Sequence, residues 1–346
     1  MENFSSPIGL LSFSTRILNI PEIIFYYIKT FLYPAQLSID QRWIVTSVNM
    51  QQFYMPLLFD LLFFLLFFLG GLSIYKKNNH QFKIYLFFIL WFLAGIALHL
   101  QIFPLDMTVA DRWFYFPMVG LLGAIGSLSI EFNRRHLFKN LGYIIAMFII
   151  VLLSARTIVR NTNWHNALTL YSHDVFLSDN YDLEDNLAGE YQNIGNYDDA
   201  FLHQKKSVQM FPYEINLYNL GYLYEKTSKM QQAAATYEKA LTNAYNAKLI
   251  DIHLNITFIR YAYVLLELKD YKTASFVINA ALKEYPENTD LWKEFVYVQY
   301  QLHNQKTALE GANQLMILLP GEQTTEVYNR TLNGLLPFIF EQNSIH

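Results

Sequence analysis

The sequence predicts an all-α protein: a polytopic membrane helix bundle of about four spans plus an interfacial helix, followed by an extracytoplasmic α-solenoid. Three observations carry this. Four stretches are apolar around the whole helix and reach the roughly 20 residues that a bilayer requires. The charge changes sign along the chain: residues 1–160 hold 12 Lys and Arg against 7 Asp and Glu, and residues 161–346 hold 13 against 22. After residue 180, small and large residues recur with a period of about 34.

Composition narrows the classes further. With 53% apolar residues the chain is too hydrophobic for a disordered protein, and a net charge of −4 does not suit a nucleic-acid binder. The absence of Cys excludes a disulfide framework, a thiolate metal site and a Cys nucleophile. A mean hydropathy of +0.15 averages two unlike halves.

The spans are expected near 57–75, 84–103, 113–130 and 141–159, within a bundle covering 56–160. Lys76, Lys77 and Lys83 follow the first span, and Arg134, Arg135 and Lys139 follow the third. Basic loops stay cytoplasmic, so Pro104–Arg112 and residues 161–346 are predicted on the opposite side. A chain without Cys suits a bacterial inner membrane with a periplasmic domain, with the endoplasmic-reticulum lumen as the alternative. Residues 1–55 are left outside with no signal-peptide pattern. Either residues 17–33 form a fifth span, against Pro21, Glu22 and Lys29, or they lie in the interface between Pro21 and Pro34. The interfacial reading implies further membrane helices upstream. Asp60 is expected to reach the interface from the outer end of its span, with a polar partner inside the bundle as the alternative, and His99 to be a satisfied interfacial histidine, with a site role as the alternative.

The repeats align on Ala200, Ala233, Ala274 and Ala308. Prolines or their equivalent follow at Pro212, Tyr245, Pro286 and Pro320, with Ala188, Gly221 and Ala262 at the small position of the first helix. Tyr191 and Tyr224 fill the large position, Ala240 and Ala281 line the second helix, and Trp292 lies in the last unit. The pattern resembles the tetratricopeptide repeat, a helix–turn–helix unit in which small residues let the two helices approach. Units are expected near 181–213, 214–247, 255–288 and 289–322, with about seven extra residues near 244–251 and a cap at 323–340. Residues 164–177 read as a leading helix, and the Asp198–Asp199 pair as caps of a helix start.

Candidate chemistry lies in the second outer loop. Asp106, Asp111, Arg112 and Tyr115 sit at the membrane surface. An Arg there can grip a phosphate through two parallel hydrogen bonds, and a carboxylate can orient a sugar hydroxyl. Interfacial aromatics and an Arg need no such role, so both readings stand on spacing alone. His165, His173 and His203 lack metal-ligand spacing, so no metal is expected. Asn3, Asn255 and Asn329 match the glycosylation sequon weakly.

The stretch ADRWFYFPMVGL, with Asp111, Arg112, Tyr115, Pro117 and Gly120, resembles the signature of the transmembrane–tetratricopeptide O-mannosyltransferase-like family. YYIKTFLYPAQLSIDQRW and RNTNWHNALTLYSHDV resemble that family's segments before its later spans and at its membrane-to-repeat junction. The resemblance implies an integral-membrane glycosyltransferase fold, a polyprenyl-phosphate sugar donor, membrane lipid around the bundle, and repeats that bind a protein acceptor or partner. It also implies that the chain corresponds to the C-terminal portion, without the catalytic acidic loop; the catalytic residues are unassigned, Asp40 is isolated, and the chain alone is expected to be inactive. The alternative is a non-catalytic membrane-anchored scaffold for protein–protein interaction.

Overall fold

The computed structural model describes residues 6–132, 136–246 and 252–338. Arg134 and Arg135, the side chain of Lys139, the Asn3 sequon, most of the inserted residues and the end of the expected cap lie outside the described residues. The chain is all-α, and its isolated β-bridge pairs Gln41 with Val109. It divides into two compact units, Met1–Tyr191 and Gln192–His346.

The first unit opens with short α1 (Phe13–Ile17) and with α2 (Ile20–Leu32), which has Pro21 in its first turn, where a missing N–H costs nothing. The long helix α3 (Met55–Lys77) continues a π-turn at Met50–Tyr54, so the first apolar segment runs 28 residues. It stops at Asn78, whose side chain caps α4 (Asn79–Ala97) by accepting from Gln81 N–H at 3.1 Å. This second segment begins and ends earlier than the hydropathy suggests. Beyond Ala97 the chain turns, with Gln101 at φ 59°, and the apolar residues up to Phe103 belong to a loop. Next come α5 (Tyr115–Phe132), entered through a 3-10 turn at Asp111–Phe114, and α6 (His136–Asn163). Among the described residues, four segments are thus long and apolar enough to cross a membrane.

Gly120 decides how α5 meets α4. A Cβ at this position would lie 2.5 Å from the Phe92 nitrogen and 2.8 Å from the Phe88 carbonyl oxygen. Only glycine lets the backbones approach this closely, the usual device where lipid supplies no hydrophobic drive between helices. By contrast, the residues from Gly142 to Ala155 of α6 are all exposed. Arg156, near its end, donates to the carbonyls of Pro34 and Ala35, both at 3.0 Å. After α7 (Ala167–Asp174), α8 (Tyr181–Asn193) begins the repeats.

The second unit holds α9 (Tyr197–Met210), α10 (Glu214–Lys226), α11 (Met230–Asn246), α12 (Ile252–Glu267), α13 (Tyr271–Glu284), α14 (Thr289–Gln301), α15 (Gln305–Leu318) and α16 (Glu322–Leu332). Ala200, Ala233, Ala240, Ala274, Ala281 and Ala308 are fully buried. A side chain at Gly221 would strike the Tyr237 ring at 2.7 Å, so α10 and α11 touch through it. Pro212, Pro286 and Pro320 each follow a helix by two residues. Trp292 donates to the Pro286 carbonyl at 2.8 Å and meets Phe295 edge-on. Asn196, not Asp198 or Asp199, caps α9; its amide also donates to Asp199 at 2.7 Å.

Four residues share a left-handed turn between paired helices: Gly195, Ser228, Lys269 and His303. Each lies five residues before an aligned Ala. Only the first is the residue type that adopts this conformation freely; the other three carry a steric cost. Gly195→Ala should lower stability by about 1 kcal/mol although the space around Gly195 is open. Lys269→Gly should raise it by up to about 1 kcal/mol, part of the relief being offset by a freer unfolded chain. Denaturant titration of the full chain reads both signs.

Among the described residues, charged groups between first helices include a paired cation and an unpartnered acid. Arg260 of α12 makes a two-point ion pair with Glu225 of α10, and its guanidinium lies over the rings of Tyr222 and Tyr263. Glu294 of α14 is 4% exposed, and neither carboxylate oxygen has a hydrogen-bond partner among the described residues. Burial, and then Asp290, push its carboxyl well above the usual range, against the pull of Arg260. The folded state therefore holds this proton more tightly than the unfolded chain. Its penalty is absent below the unfolded value of about 4.5 and grows as pH rises toward the folded value. Glu294→Met should stabilise the protein by about 1–3 kcal/mol at neutral pH. The gain in thermal midpoint should disappear near pH 4.

Candidate functional site

The loop that carries the sequence candidates is built by side chains holding backbone. Gln101 has no exposure; its amide donates to the carbonyls of Met107 (2.7 Å) and Thr108 (3.0 Å) and accepts from Leu105 N–H at 3.0 Å. Residues 38–45 pass alongside, with Thr108 N–H donating to the Gln41 carbonyl at 2.9 Å. Asn19, just before α2, brackets Val45 by accepting from its N–H (2.6 Å) and donating to its carbonyl (3.2 Å). Tyr27 of α2 stacks on Phe114 at 5.0 Å, while Tyr26 donates to Asp111 at 2.7 Å. Burial and then the Asp111 charge raise the Tyr26 phenol above its ordinary range, so it remains a donor. Thus α2 is tied to these loop segments along its length.

Two ion clusters fix the far side of the segment. Asp174, at the end of α7, has no exposure. It receives Arg160 through two bonds, 2.7 and 3.0 Å, contacts His173 Nδ1 at 2.7 Å, and accepts the Ile39 N–H at 2.9 Å. Arg42 is the second hub: it donates to Asp40 (2.7 Å), the Asp106 carbonyl (2.9 Å), the Tyr181 hydroxyl (3.1 Å) and Asp182 (3.2 Å). Burial raises Asp40 to about 6 even against Arg42. Asp40 is therefore part of a network and not the isolated carboxylate that the sequence suggested. These ties to Tyr181 and Asp182 also draw α8 into the first unit.

The four candidates are differently placed. Asp111 is committed to Tyr26. Asp106 is exposed, and its backbone oxygen receives Arg42. Tyr115 is 68% exposed at the start of α5. Arg112 is exposed, and its guanidinium donates only weakly, to the Ile39 carbonyl at 3.3 Å and to the Met107 sulfur at 3.5 Å. Among the described residues it forms no ion pair. Sequence reasoning missed Asn19, Gln101, Arg42 and Asp174 as organisers. Polar residues beside extended segments without helical periodicity were the available signal.

Asp60 is covered by protein. It is 4% exposed, and neither of its carboxylate oxygens has a hydrogen-bond partner among the described residues. One oxygen of Glu22 on α2 is likewise buried and unpartnered, and the two acids are close enough for their charges to act on each other. His99 stacks on Trp113 at 5.2 Å with Nδ1 buried and unsatisfied, and burial lowers its basicity.

Comparison with known proteins matches residues 216–246 to the tetratricopeptide repeat family. Protein O-mannosyl-transferase TMTC3 of Homo sapiens is 24% identical over 164 residues, which is 44% of this chain and 18% of that protein. The same protein of Mus musculus is 23% identical over equal shares. The chain thus spans less than a fifth of the length of these relatives. Among solved structures, MamA 41-end from Desulfovibrio magneticus RS-1 is 20% identical with a TM-score of 0.39, over 44% of this chain and 84% of that one. YrrB, described as a TPR protein with an unusual peptide-binding site, is 16% identical with a TM-score of 0.40, over 50% and 84%. Membrane-length helices, a repeat-family match and these sequence relatives make the chain a tetratricopeptide-bearing membrane protein related to the O-mannosyl-transferases.

Proposed function

We propose that this chain serves glycosyl transfer at a membrane surface. Its outer loop holds the phosphate of a polyprenyl-phosphate sugar, and its repeats hold the protein or peptide acceptor on the extracytoplasmic side, in the periplasm of a bacterial inner membrane. The availability of Arg112 carries this reading. Arg16, Arg42, Arg156 and Arg160 are engaged in backbone or ionic contacts, whereas the Arg112 guanidinium is exposed beside a carbonyl and a thioether. A planar fork with free donors at a membrane surface suits a phosphate. The ties of α2 to loop segments suit a helix lying in the interface beneath that loop. The rest of the catalytic machinery is not assigned to residues of this chain.

A second reading, a membrane-anchored scaffold, is favoured by Asp111. The acid beside Arg112 is bound to Tyr26 and is poorly placed to act as a base. Binding of farnesyl phosphate to the chain in nanodiscs separates the two. Arg112→Ala should weaken binding about tenfold or more, with partial recovery in Arg112→Lys. Equal affinity in the folded wild type and Arg112→Ala would remove the phosphate role and leave the scaffold.

A further inference from the structure

Asp60, an unpartnered acid of the membrane unit, lies one helical turn before the α3 residues that line an apolar groove. Asp60, Phe63, Phe64, Phe67 and Gly71 recur at helical spacing and so share one face of α3. Below Asp60 that face lines a cavity of about 290 Å³, closed on the α4 side by residues that include Phe82 and Tyr85. From Asp60 to Gly71 the stripe runs about 16 Å, roughly the reach of a twelve-carbon chain. Ile23, the neighbour of Glu22, packs into the same cluster as Phe63, Phe64 and Phe92, so α2 roofs the head of the groove.

We propose that this groove is a lipid site distinct from the Arg112 loop: it takes a lipid with a long apolar chain and an uncharged, hydroxyl-bearing head whose hydroxyls donate to Asp60 and Glu22. Three facts select that occupant. The cavity wall is aromatic and aliphatic, which suits a hydrocarbon chain. Both Asp60 oxygens and one Glu22 oxygen lack the donors that buried carboxylates require. A phosphodiester head brings acceptor oxygens and no donor to these unpartnered carboxyl oxygens, so the donor comes from hydroxyls on an uncharged head. Glu22 is half-buried, so the head of the groove is not sealed on its side.

The test is photolabelling of the chain in nanodiscs with a dodecyl glucoside carrying a diazirine at its chain end, mapped by peptide mass spectrometry. Labelling should concentrate within residues 63–93. Asp60→Leu, which removes the acceptors together with their burial cost, should reduce it at least fivefold while the thermal midpoint is kept. Leu86→Trp, at the groove wall, should reduce it independently. The same probe with a phosphate head should label this region at background. Labelling spread evenly over α3 to α6, unchanged labelling in folded Asp60→Leu or Leu86→Trp, or equal labelling by the phosphate probe would overturn the proposal. Arg112→Ala should leave the pattern unchanged, which separates this outcome from failure of the phosphate role.

Discussion

Asp174 is a carboxylate with no solvent exposure, and the loop side of the membrane unit is organised around it. It gathers Arg160 from the last turns of α6, its neighbour His173, and the Ile39 N–H of the extended segment. A buried pair of this kind adds little over an apolar replacement, but losing one partner costs about 3–5 kcal/mol because the other charge is stranded. Its contribution is placement. With Ile39 fixed, residues 38–45 meet residues 106–111 through Gln41, and the backbone oxygen of Ile39 lies against Arg112. The exposed guanidinium is thus held by a chain of contacts that begins at an ion pair one segment away.

The repeat unit rests on different physics. Its contacts lie between successive helices and between neighbouring first helices, small residues set the approach distance, and stability accumulates repeat by repeat. Its register is marked twice, by buried alanines and by left-handed turns five residues earlier. The cost of Ser228, Lys269 and His303 in those turns is local, so packing elsewhere offsets it without altering the fold. Glu294 is a comparable local cost on a buried face.

Much of this was legible in residue pattern. Lipid-facing helices show their apolarity at any angle, and a repeat announces itself through Ala200, Ala233, Ala274 and Ala308. Gly120 was visible as part of a motif, though its reason, contact with the backbone of Phe92, needed coordinates. The end of α4 was not legible, because Leu98–Phe103 stays apolar while Gln101 turns the chain. Nor were the roles of Asp40, Arg42 and Asp174, whose partners are distant in sequence. The burial of Asp60 was not legible for a related reason: hydropathy places a residue along a helix, but says nothing of a second helix laid over it.

Hydrogen exchange at the Ile39 amide and across residues 38–45 and 106–111 tests the organising role of Asp174 most directly. The double variant Arg160→Met with Asp174→Leu removes the interaction without stranding a charge. If the pair positions the loop, protection in both segments falls in that variant while α12 to α14 keep theirs. Unchanged protection of residues 38–45 and 106–111 would contradict the account.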